Sequence, residues 1–268
     1  MKQINRIIFT IGSATLIACG GGGGGGGSSS ACTSLKINGG ESCEEGGSPV
    51  AAVLPVAQNN ETVTCTGTLI SSTAVLTAAH CVYTRPKGIV VGVAGHVRTA
   101  SQYIIHPRYR GVSYGGFDLA VVKFIDPIPV APAPLLVSKG APAQGEQVVA
   151  YGVGTDEQGD LFLDRLRSGD IPLKATYLTF AGVNNTIFYE TISDGSGNTC
   201  KGDSGGPILA RNASGQWGIV AVTSFSPNVS YERPCIPVSG GTLAVQSTTQ
   251  TNEAMNFIFS VAPDAAIN

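Results

Sequence analysis

The chain has 268 residues, long enough for one large all-β domain or two small ones with a proper buried core. Charged residues make up only 13% and the formal net charge is −2, so nothing suggests a nucleic-acid partner. With 36 glycines and 15 prolines punctuating short valine-rich runs, the composition favours many short strands over helices.

The amino terminus reads as a targeting segment. Lys2 and Arg6 make a positive start, and the apolar run 7–17 is too short to cross a bilayer as a permanent helix. It ends in Leu16-Ile17-Ala18-Cys19, which resembles the lipobox of bacterial lipoproteins. That resemblance implies a signal peptide over 1–18 and a lipid on Cys19, anchoring an exported chain to a membrane. An ordinary secretory signal, giving a secreted chain, is the alternative. Eight glycines (20–27) and three serines (28–30) follow, a flexible tether of about 18 Å root-mean-square length.

Short apolar runs then predict strands over 50–56, 63–70, 75–79, 89–97, 99–105 and 119–124, enough for a first barrel at about 37–125. The proline-rich stretch 125–134 is too poor in backbone donors for a central strand and reads as a crossing. Further strands are expected over 148–154, 173–180, 186–191, 207–210, 217–225 and 242–247, in a second barrel at about 135–250. A helix is expected over 252–261, capped by Asn252, with Met255, Ile258 and Phe259 at helical spacing. Seven cysteines less Cys19 leave six, an even number with fifteen possible pairings in an exported protein. No Cys-x-x-Cys pair suggests a metal site, and residues 88–105 hold no acidic side chain for calcium. No cofactor or metal is expected.

Three segments carry chemistry. Cys200-Lys201-Gly202-Asp203-Ser204-Gly205-Gly206-Pro207 sets a serine among small residues, where a tight turn leaves its hydroxyl clear and lets a substrate backbone approach. Upstream lie Leu76-Thr77-Ala78-Ala79-His80-Cys81 and Asp118-Leu119-Ala120-Val121-Val122-Lys123-Phe124. Together they resemble the nucleophile, base and aspartate segments of the trypsin-like (chymotrypsin-fold) serine proteases, in that family's order of His, Asp, Ser. The other histidines, His96 and His106, carry no such motif.

The resemblance implies an all-β fold of two six-stranded antiparallel barrels with a C-terminal helix, over 37–268. It implies a serine endopeptidase acting on polypeptides through an acyl-enzyme, with His80, Asp118 and Ser204 catalytic. Gly202 and Ser204 would supply the oxyanion hole. Asn198, Ser224, Ser226 and Gly241 would form the substrate pocket, with Ser224 also hydrogen-bonding the aspartate. The neutral Asn198 stands where trypsins carry aspartate, so no strong preference for basic residues is expected unless Asp194 reaches the pocket. Lys36-Ile37 resembles the family's activation site, with Asp203 meeting the freed amine of Ile37 after a trypsin-like protease cuts; an uncut chain is the alternative. The family's bridges map to Cys65–Cys81 and Cys200–Cys235, leaving Cys32 and Cys43 as the remaining pair. A monomer is expected. The alternative function is a catalytically silent or esterase-like surface lipoprotein on the same scaffold.

Overall fold

In Val50–Val56 (β1) buried and half-buried side chains alternate strictly, the period-2 signature of a strand with one face on a core. The computed structural model describes residues 47–111, 116–137, 143, 145–155, 167–175, 178–180, 183–185, 188–193, 199–225 and 242–268. Cys19 and the tether, Cys32, Lys36, Ile37, Cys43, Asn198, Ser226, Cys235 and Gly241 lie outside the described residues.

Seven antiparallel strands make the first sheet. They are β1, Cys65–Ser71 (β2), Ala74–Thr77 (β3), Gly88–Val93 (β4), His96–Thr99 (β5), Gln102–Ile105 (β6) and Ala120–Lys123 (β7), in the order β5-β4-β1-β2-β3-β7-β6. Only Ala100 and Ser101 separate β5 from β6, which are the two edges of this order. The Ala100 N–H donates to Ile89 O and the Ser101 N–H to Lys123 O, both at 2.8 Å. The sheet must therefore curl until its edges approach, enclosing Val53, Leu69, Val75, Val91 and Val122.

The strand expected over 89–97 is in fact two, β4 and β5, paired through Val93 opposite His96. Between them Ala94 and Gly95 have φ of 44° and 79°. A two-residue left-handed turn of this kind matches the natural twist of a hairpin. Similarly, the strand expected to reach residue 79 ends at Thr77, and a single helical turn, Ala79–Val82 (α1), follows.

Gln147–Gly152 (β8), Arg167–Ala175 (β9), Phe188–Ser193 (β12), Pro207–Arg211 (β13), Trp217–Phe225 (β14) and Thr242–Thr248 (β15) close into a six-stranded barrel, β12-β15-β14-β13-β8-β9. Leu178–Phe180 (β10) and Val183–Asn185 (β11) form a small hairpin beside it. Between the sheets, Leu76, Leu119 and Val121 pack with Leu135, Ile219 and Val222. The crossing segment is stitched to both sides: Ala133 N–H donates to Leu69 O, and Leu136 N–H to Ile219 O.

The C-terminal helix Asn252–Val261 (α2) has the expected bounds but a different cap. Thr251, not Asn252, is the N-cap, accepting from the Ala254 N–H at 3.1 Å. Its buried stripe is Ala254, Phe257 and Ile258, while Met255 and Phe259 are only partly covered. Lys123 donates to Val261 O at 2.8 Å, placing a cation at the helix C-terminus, where the dipole favours it.

Alanine at φ 44° is strained in a way glycine is not. Ala94→Gly should raise stability by about 1 kcal/mol, a thermal midpoint roughly 2–4 °C higher. Thermal denaturation checks this, and Ala94→Val should shift the midpoint the other way.

Candidate active site

His80 lies on α1, held from two sides. The Cys65–Cys81 disulfide ties α1 to β2, and the His80 N–H donates to Asp118 Oδ1 at 2.8 Å. The His80 ring meets the same carboxylate through Nδ1, 2.7 Å from Asp118 Oδ2. That ring remains 29% exposed while Asp118 is fully buried, so one nitrogen is fixed inside and the other edge can face a reactant. Ser224 on β14 donates its hydroxyl to Asp118 Oδ2 at 2.5 Å. One carboxylate thus accepts three hydrogen bonds, two from His80 on α1 and one from Ser224 on the second barrel.

The residue before Asp118 is strained. Phe117 has φ 54°, and the Leu119 N–H turns back to Phe117 O at 2.7 Å. The Phe117 ring is stacked on His106 with centroids 4.4 Å apart, and the Arg108 guanidinium sits 4.4 Å from its centroid on the ring face. These contacts hold an unfavourable backbone angle that aims Asp118 at His80. His106 is therefore a packing histidine: it is 2% exposed, and burial pushes its pKa down.

Burial alone would lower the His80 pKa, but the charge and hydrogen bond of Asp118 outweigh it, and the imidazole is held above 6.5. Burial alone would raise the Asp118 pKa. The His80 charge and the hydrogen bonds from His80 and Ser224 outweigh that, so the carboxyl is held below its ordinary value.

Ser204, half-buried, sits in a loop pinned by its backbone. Ser204 O accepts from the Thr66 N–H at 2.8 Å, and Gly205 N–H donates to Thr223 O at 2.7 Å. Cys81 Sγ is 3.8 Å from His80 Nε2 and 3.7 Å from Ser204 O, so the disulfide sulfur touches both segments. Gly205 must be glycine: its φ is +85°, and a Cβ there would meet Thr77 Oγ1 at 2.1 Å and Thr66 O at 2.3 Å. Asp203 is 1% exposed and accepts from the Gly154 N–H at 2.8 Å and the Cys200 N–H at 2.6 Å. The N–H groups of Gly202 and Ser204 make no hydrogen bond with any described residue.

Thr66 was not singled out by the sequence, yet it braces the loop. Its hydroxyl donates to Gly202 O at 2.8 Å and accepts from the Val153 N–H at 3.1 Å. Position after Cys65 was the available signal, and a threonine in a strand rarely announces such a role. Donor atoms of Cys65, His80 and Cys81 lie within 4.8 Å of one another. The two sulfurs are joined as a disulfide, however, which leaves no thiolate for a metal. Cys200 is also disulfide-bonded, and its partner is outside the described residues.

A family model described as Trypsin matches residues 37–240. The chain belongs to the trypsin family. Its fold is the chymotrypsin fold of trypsin domains, with most strands in two sheets and a short C-terminal helix. It is 30% identical over 207 residues to a trypsin of Saccharopolyspora erythraea, covering 70% of this chain and 86% of that one. It is 28% identical over 169 residues to trypsin eta of Drosophila erecta, covering 56% of this chain and 64% of that one. A similar match, 28% over 183 residues, joins it to human transmembrane protease serine 11A, covering 61% of this chain and 43% of that protein. The chain thus spans just under two thirds of the fly trypsin and under half of the human protease. Membership in this family makes it a serine-protease homologue of the hydrolase class, and relatives of this class act on polypeptides.

Ser224→Ala removes one donor from a fully buried carboxylate. The expected loss is about 1–3 kcal/mol. Because the folded Asp118 pKa is depressed, the ionised form contributes its full stability above the unfolded pKa and loses it as pH falls through the folded value. Chemical denaturation across pH should show a constant deficit above about pH 5 that shrinks below about pH 4.

Proposed function

We propose that this chain is a serine endopeptidase in which Ser204 attacks the scissile carbonyl, His80 takes its proton, and Asp118 holds and stabilises the resulting imidazolium. The observation that supports this best is the buried Asp118 carboxylate bonded to His80 Nδ1. That bond fixes the tautomer that leaves Nε2 as the proton acceptor. A serine hydroxyl is a weak nucleophile at neutral pH, so a base with these properties is what acyl transfer requires. The Gly202 and Ser204 amides, which make no hydrogen bond among the described residues, are suited to receive the oxyanion.

Cleavage after Lys36 would free the amine of Ile37 to join Asp203, whose carboxylate already sits beside the nucleophile loop. An α-ammonium is costly to bury unless a carboxylate meets it. The lipobox-like Cys19 and its tether favour an exported enzyme held on a membrane. If Cys32 pairs with Cys43 across the cut, that anchor would survive activation.

Purified protein, before and after incubation with trypsin, is tested for peptide hydrolysis and for labelling by a fluorophosphonate. Ser204→Ala should lose the label, and either Ser204→Ala or His80→Ala should lower turnover by about 10⁴- to 10⁶-fold. Turnover that survives in Ser204→Ala contradicts the mechanism. Since His80 must be neutral to act and its pKa is raised, kcat/KM should climb through an acid limb with its midpoint above 6.5.

A further inference from the structure

Deep in the second barrel, two polar side chains face one another with no hydrogen-bond partner among the described residues. Gln246 is fully buried, and among the described residues neither its Nε2 nor its Oε1 has a hydrogen-bond partner. Thr223, directly opposite on β14, is 4% exposed, and its Oγ1 is likewise unpartnered. Buried amides and hydroxyls are almost always satisfied, because leaving them bare is strongly unfavourable. Three such atoms gather at this one cross-strand pair.

The strand geometry says which place it is. Ala221 packs inside the second barrel with Ile208 and Ala150, whereas Val222 packs outward against the first sheet. Thr223 therefore points inward, since alternation holds until the register shift between Thr223 and Phe225. Gln246, its cross-strand partner, shares that face. On its other edge Thr223 is paired with the nucleophile loop: its O accepts from the Gly205 N–H at 2.7 Å, and its N–H donates to Gly206 O at 2.8 Å. Gln246 thus lies two strand spacings, about 10 Å, from the residue following Ser204. A substrate side chain directed into the barrel from Ser204, together with the Gln246 side chain, can span that distance.

We infer that Gln246 and Thr223 form a neutral polar floor that selects an uncharged amide side chain, glutamine or asparagine, at the substrate residue preceding the cut. This rests on the protease reading above. The primary amide of Gln246 offers donors and an acceptor, and the Thr223 hydroxyl can do either. A substrate amide answers both in kind, whereas an aliphatic or aromatic side chain leaves all three atoms bare. A lysine, arginine or glutamate would bury its charge between β14 and β15, which carry no charged residue at all.

The test is a set of fluorogenic peptides differing only at the residue before the cut: Gln, Asn, Glu, Lys, Leu and Phe. They are assayed on the full chain with and without trypsin pretreatment, alongside fluorophosphonate labelling of the same samples. Wild type should favour Gln or Asn over Leu by about 10-fold or more in kcat/KM. Gln246→Leu should lower the Gln-to-Leu ratio by about 10- to 100-fold, the loss expected when a buried polar partner is removed. Thr223→Val, read by the same ratio, serves if Gln246→Leu does not fold. Gln246→Glu should bring Lys peptides forward. Labelled enzyme that prefers Leu, Phe, Glu or Lys, or whose ratio is unchanged in Gln246→Leu and Thr223→Val, overturns this inference alone. Failure of the label in every preparation overturns the protease reading and this inference with it.

Discussion

A carboxylate with no exposure to water is the constraint on which the rest of this structure turns. Left alone, Asp118 would have to be protonated, because burying an isolated charge is prohibitively unfavourable. It stays ionised because His80 meets it twice and Ser224 once. Removing the charged partner of such a buried pair, here His80, typically costs about 3–5 kcal/mol. The donors come from both halves of the molecule, so the charge can be satisfied only when the first sheet and the second barrel are docked in register. The apolar contacts of Leu119, Val121, Ile219 and Val222 supply adhesion between the halves. The buried carboxylate supplies the register.

The nucleophile loop depends on the same docking. Ser204 O is bonded to β2 through Thr66, while Gly205 and Gly206 are bonded to β14 through Thr223. Gly205 lets the loop lie against Thr77 and Ala78, just ahead of His80. The strain at Phe117 belongs to this arrangement too, since the His106 and Arg108 contacts hold it in place. In the proposed mechanism the three reacting side chains come from three separated segments, and backbone bonds rather than loop flexibility fix their spacing.

Much of this could be read in the sequence, for physical reasons that differ by element. β14 and α2 have the bounds expected from composition because each is bracketed by breakers: Gly215 before Trp217, and Thr251 and Pro263 around the helix. The Ser204 segment was legible because the whole run from Cys200 to Pro207, and not its glycines alone, resembles the family's nucleophile loop. The split of β4 from β5 was hidden by Ala94, a residue that seldom takes positive φ and so gives no turn signal. α1 was hidden because four apolar-rich residues cannot show a helical period. Gln246 was invisible for a further reason. In the run Thr-Leu-Ala-Val-Gln-Ser-Thr a glutamine looks like a solvent-facing position, and only closure of the barrel buries it.

The central claim is that Asp118 controls the state of His80, and it can be measured directly. Histidine-labelled protein is titrated by NMR, with the His80 resonance assigned by its loss in His80→Gln. The account predicts a midpoint above 6.5 in the wild type, where the carboxylate outweighs burial, and one below 6.5 in Asp118→Asn, where burial acts alone. A wild-type midpoint at or below 6.5, or a midpoint unmoved by Asp118→Asn, would contradict it.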